Sequence, residues 1–153
     1  MYIEEEVGRK TSSIEVEDWE RAYKEIKTIL ENRFLFDRVE EEKFRHHVER
    51  GLIISKVSCY MEMDDFTNIE VTLMLNIHQD DEGLGAVITV DSKGEIVTKY
   101  PDKNGNQRSV WYYAFRSIWD KFVYGGARQK WKDDAFQVMS DVHYELRGFL
   151  EGI

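Results

Sequence analysis

The sequence predicts an α+β fold: an antiparallel meander sheet of four to six strands with an N-terminal helix and two C-terminal helices packed on it. Three observations predict it. An amphipathic helical stripe lies near the start of the chain. Period-two segments joined by short polar turns fill its middle, and broad apolar helical stripes close it. At 153 residues the chain is expected to form one domain with a core of its own.

The elements follow in order. YIEEEV, residues 2–7, reads as a short edge strand. From about Val16 to Phe34 the apolar positions Trp19, Ala22, Tyr23, Ile26, Ile29, Leu30 and Phe34 recur at helical spacing, with Ser12, Ser13 and Glu15 as the expected cap. Phe44, His46 and Val48 then alternate with charge, and Glu49-Arg50-Gly51 turns the chain. In LIISKVSCYMEM, Ile53, Ser55, Val57, Cys59, Met61 and Met63 share one face. In IEVTLMLNI, Ile69, Val71, Leu73, Leu75 and Ile77 do the same, and the opposite face is only half polar. GAVITVDSKGEIVTKY is expected to be a hairpin turning at Asp91–Gly94. Ser109 would cap a helix carrying Trp111, Phe115, Ile118, Trp119 and Phe122 and ending at Gly125-Gly126. A last helix, from about Ala127 to Phe149, carries Trp131, Ala135, Val138, Met139, Val142, Leu146 and Phe149.

This order of elements resembles the helix-grip arrangement of the START and polyketide-cyclase-like superfamily, in which a curved sheet wraps a long C-terminal helix around a cavity. The resemblance spans most of the chain and rests on element order alone. The chain departs from the pattern by one strand and by the extra aromatic helix. What the resemblance implies is a ligand cavity between sheet and closing helix.

Composition narrows the function. The formal net charge of −9 disfavours general affinity for nucleic acid or anionic lipid. The charge is uneven, however: residues 99–132 hold eight Lys/Arg against two Asp/Glu, and the remainder holds thirteen against twenty-eight. The N-terminus is too acidic for a signal peptide, and no run approaches the roughly 18 apolar residues of a membrane span. One cysteine, Cys59, excludes an internal disulfide. A cytoplasmic protein without membrane contact is expected.

Catalytic and cofactor signals are weak. His46 and His47 are neighbours on a strand and point to opposite faces, so they cannot share an ion. Cys59 lies within an apolar run, where a thiol usually behaves as a small hydrophobe. The clusters Glu40–Glu42, Asp64-Asp65 and Asp80–Glu82 suit solvated turns or strand ends. No glycine-rich phosphate loop is present, and no cofactor or metal is expected.

The segment Trp111–Trp131 holds eight aromatic residues. Helical geometry sends one stripe of them to the core and leaves an outer strip, with Tyr112, Tyr113 and Arg116, continued past the glycines by Arg128 and Lys130. Arg and Tyr together favour binding surfaces because they give rigid area, directed hydrogen bonds and cation–π contacts.

The reading that follows is a non-enzymatic binding module for a small apolar ligand or an acidic protein partner. Nucleic-acid or nucleotide binding through residues 99–132 is the alternative, disfavoured by net charge. A helix-grip-type enzyme with Tyr60 or Tyr100 as the acid is the third. If the apolar surfaces of two closing helices exceed one sheet face, a two-fold homodimer would absorb the excess.

Overall fold

The structure is a computed structural model, and it describes residues 2–80, 85–99 and 125–152, with Ala114 and Ile118 besides. Five antiparallel strands form one sheet in the order β1-β5-β4-β3-β2. Strand β1 (Tyr2–Val16) leads into helix α1 (Trp19–Asn32), and the meander β2 (Arg38–His47), β3 (Leu52–Glu62), β4 (Thr67–Gln79) and β5 (Ala86–Lys99) follows. Helix α2 (Gly125–Glu151) closes the described chain. Because β1 and β2 occupy opposite edges, α1 is the connection that carries the chain across the sheet.

Both helices lie on one face. Strict alternation in β4 puts Ile69, Val71, Leu73, Leu75 and Ile77 at 0% exposure beneath them. Ile53, Val57 and Cys59 of β3 and Ile88 and Ile96 of β5 extend this floor, as the period-two pattern predicts. Onto it α1 lowers Ala22, Ile26 and Leu30, and α2 lowers Ala135, Met139, Val142, Leu146 and Leu150. Each fully buried aliphatic side chain of this kind contributes roughly 1.5–3 kcal/mol. Polar contacts fix the two footprints. Tyr23 on α1 meets Ser55 of β3 (3.0 Å) and stacks at a tilt against Phe44 of β2. On α2, His143 meets Ser12 of β1 and Ser92 of β5.

The expected order of an N-terminal helix, then strands, then two closing helices is corrected. The described chain opens on a strand of 15 residues, its first helix follows that strand, and it closes on one helix of 27 residues. The expected helix around Trp111–Phe122 lies outside the described residues except for Ala114 and Ile118, both helical. Gly125-Gly126, expected to end a helix, are helical residues of α2.

Two further corrections concern strands. β1 runs to Val16 rather than Val7, and α1 is capped by Asp18, whose Oδ1 accepts from the Arg21 backbone N–H (3.2 Å). Ser12 and Ser13 are strand residues with side-chain partners in His143 and Thr89, so they do not cap. The expected hairpin at Asp91–Gly94 is one uninterrupted strand, β5, which pairs with β4 from Thr98 to Ala86 without a break. Gly94 answers to packing instead. A Cβ there would stand 3.0 Å from Val7 Cγ2 and 3.1 Å from Met139 Cβ, and on β1 its paired neighbour Gly8 lies under Phe136 and Met139 in the same way. The two glycines let α2 settle onto the sheet. The expected turn at Glu49-Arg50-Gly51 is present: the Gly51 φ of 59° is the left-handed geometry that glycine adopts freely.

Candidate binding surface

Both described helices lie on one side, and no other described element covers the opposite face of the sheet. The antiparallel register decides what stands there. Glu70 of β4 is directly opposite Glu95 of β5 on one side and Tyr60 of β3 on the other. One step along, Lys93 of β5 is opposite Arg9 of β1 and Thr72 of β4. A further step brings Asp91, Met74, Lys56 and Lys43 into line across β5, β4, β3 and β2. These bands line a shallow trough of about 510 Å³, with Glu4, Glu42 and Ser58 completing its rim.

Like charges directly opposite on adjacent strands are destabilising. The Glu70–Glu95 pair is such a contact, and Arg9–Lys93 is another. Ion pairs along each strand offset part of the cost: Lys93 bonds Glu95 within β5, and Arg9 bonds Glu6 (2.5 Å) within β1. Glu95 is only 5% exposed despite lying on the helix-free face. Burial pushes its carboxyl above the usual carboxylate range, and a hydrogen bond with Glu4 pushes the same way. Two carboxyl groups within hydrogen-bond reach need a proton, or another cation, between them. Burial likewise raises Glu70, with the Glu95 charge adding to it, and no cation is opposite Glu70 in the register. Glu42 shows the reverse: hydrogen bonding from Ser58, and then from Lys56 and Tyr60, holds it below the usual range. A row of carboxyls crosses the sheet with one end protonating easily and the other held ionised. Such splitting marks candidate functional sites, although structural networks produce it too.

The expected site residues are distributed as follows. Tyr112, Tyr113 and Arg116 lie outside the described residues. Lys130 is exposed on α2. Arg128 does not face outward: it is 4% exposed, Nη1 donates to Thr98 Oγ1 (2.8 Å), and Nη2 lies 3.3 Å from Glu5 Oε1. Lys132 joins the same carboxylate at 2.6 Å, and that hydrogen bond, against the cost of burial, holds Glu5 below the usual range. The basic island thus pairs inward here, because β1 carries an acidic residue on the helix-facing side of the sheet.

Other candidates resolve into structure. Burial pushes the Cys59 thiol up to about 12, far from a reactive thiolate. Asp64 Oδ1 accepts backbone N–H bonds from Phe66 (2.8 Å) and Thr67 (2.7 Å), so it shapes the β3–β4 turn. Tyr60 stands on the trough side, bonded to Glu42 (3.0 Å) and stacked under Arg38. Burial and the Glu42 charge raise its pKa, which makes it a poorer acid. Tyr100 lies outside the described residues.

Glu4, Glu70 and Glu95 were not singled out from the sequence. An acidic residue on the polar side of a strand is ordinary, and only the register shows that these gather. Reading Asp91–Gly94 as a turn also removed Glu95 from the strand that carries it.

No protein-family model and no curated protein matches the chain. A solved structure of an uncharacterised protein from Rhizobium leguminosarum aligns over 100% of this chain and 99% of its own, at 12% identity and a TM-score of 0.25. That likeness is too slight to inform fold or function. No helix among the described residues is long and apolar enough to cross a membrane.

Proposed function

We propose that the protein is a non-enzymatic binding module whose ligand is polar, carries an amine or guanidinium cation, and sits on the helix-free face of the sheet. The observation that carries this reading is the carboxyl row Glu4–Glu95–Glu70, in which Glu95 and Glu70 have a raised proton affinity. A ligand cation placed over Glu70 and Glu95 would take the role of the shared proton and remove the like-charge repulsion between them. Charge complementarity of this kind gives specificity and speed of encounter more than raw affinity.

The geometry favours this face over the alternatives. A small apolar ligand needs space beneath α2, and the helix there sits on Gly8 and Gly94 too closely for an added methyl group. An acidic partner or a nucleic acid needs outward cations; of the described cations expected there, Arg128 and Lys132 are engaged with Glu5, which leaves Lys130 exposed.

Isothermal titration with spermidine tests the reading. Binding should weaken as salt is raised and as pH falls into the range where Glu70 and Glu95 take up protons. It should be lost in the double variant Glu70→Gln/Glu95→Gln while Lys130→Ala binds as before. Absence of binding, or equal binding by the double variant, would overturn it.

A further inference from the structure

On the opposite face of the sheet, His143 occupies a position that the binding reading does not use. It projects from the middle of α2 into the seam between helix and sheet and is 3% exposed. Its two ring nitrogens are both engaged, by serines on two different strands: Nε2 with Ser12 Oγ of β1 at 2.8 Å, and Nδ1 with Ser92 Oγ of β5 at 2.9 Å. Ser92 is itself fully buried. A neutral imidazole suits this pair, since one nitrogen donates while the other accepts.

The charged groups around the ring decide what a second proton would do. Lys10 reaches it from β1 and Arg147 from α2 itself, both repelling an imidazolium; Asp91 of β5 attracts one but is outnumbered. Lys10 is not free to swing away. Its ammonium lies over the Tyr144 ring, 4.8 Å from the centroid, and donates to the Tyr144 hydroxyl at 3.1 Å, which keeps it at the exposed margin of the seam. Burial comes first among the influences that lower the His143 pKa, with these cations next. Protonation therefore puts a charge in a buried seam with an ammonium at its exposed margin.

We infer that His143 is a pH-sensitive latch: neutral, it ties α2 to β1 and β5 through Ser12 and Ser92, and protonated, it loosens the helix from the sheet. The direction follows from linkage. The folded state holds this proton less tightly than the unfolded chain does, so stability tied to the latch is full above the ordinary histidine value and falls as pH drops below it. Local opening of α2 would take the same direction, because an imidazolium is solvated once the helix lifts. What would be uncovered is the apolar stripe of α2 and the floor beneath it, a surface absent at neutral pH.

Hydrogen exchange tests this at a series of pH values, with amide protection in α2 and in β4 corrected for the intrinsic exchange rate. In the wild-type protein, α2 protection should fall severalfold from pH 7.5 to 5 while β4 protection holds. In His143→Gln, which bonds two serines without titrating, α2 protection should be flat over that range. A fall of the same size in His143→Gln, or flat protection in the wild type, would overturn the latch. Should the variant fail to fold, direct NMR titration of the wild-type His143 ring decides the matter. A midpoint below that of free histidine, with α2 shifts tracking it, is expected; a midpoint at or above it would overturn the inference.

Discussion

At the residue scale, Gly94 and Glu95 stand side by side and face opposite sides of the sheet. Gly94 lies under α2, against Val7 and the base of the Met139 side chain, neither of which can retreat without moving a strand or the helix. Gly94→Ala should therefore cost about 1–3 kcal/mol, as overpacking of a settled core does, measured as a shift in the urea midpoint. Gly8→Ala should cost less. Its added methyl meets ring carbons of Phe136, a side chain 43% exposed and able to swing outward. Glu95 belongs to the other face and gives a pH signature. Its folded-state carboxyl, like that of Glu70, binds a proton more tightly than the unfolded chain does. Their contribution to stability is full below the ordinary glutamate value and is lost as pH rises through their raised values. Glu70→Gln should accordingly stabilise the protein by roughly 0.5–1 kcal/mol at pH 7, the size of a cross-strand like-charge contact. The gain should vanish near pH 4, and urea unfolding at the two pH values checks both.

At the scale of elements, α2 shows how a basic segment can serve the fold. Arg128 reaches down to Thr98 on β5 and Glu5 on β1, and Lys132 follows one turn later. Arg128→Ala should lower stability by roughly 1–3 kcal/mol, the cost of leaving a buried polar partner unmade. Spermidine binding at the other face should be unchanged where the variant is folded, as calorimetry would show. Much of this level was legible beforehand. Wherever one residue class repeats at a fixed period, as in IEVTLMLNI or in the Ala135–Met139–Val142–Leu146 stripe, the buried face could be named correctly. The errors came where one residue type serves two purposes. Glycine in DSKG signals a turn or a close approach, and serine in TSSIE signals a cap or a strand residue awaiting a histidine; local sequence does not separate these. The carboxyl row was illegible for another reason: strand pairing alone sets Glu70 opposite Glu95, and Glu4, opposite Val97, reaches Glu95 diagonally through a side-chain hydrogen bond.

At the scale of the whole molecule, the described elements are layered on one side: two helices cover one face of a sheet whose edges are β1 and β2. Each edge strand has a register shift, between Glu6 and Gly8 in β1 and between Glu41 and Lys43 in β2, and each is rich in charge. Bulges and charges at an edge hinder the addition of a further strand. Replacing Lys43 and Arg45 together by Val should therefore promote self-association, seen as a rise in mass by light scattering with concentration. Among the described residues, the acidic row and its basic neighbours form the polar surface on the side away from both helices, and the proposed ligand would meet it there. An NMR map of backbone amide shifts during spermidine addition at pH 7 tests that claim most directly. The account predicts shifts clustered at Glu4, Glu70, Thr72, Lys93 and Glu95, with Arg128 to Leu150 unmoved. Shifts centred on α2, or none at saturating ligand, would contradict it.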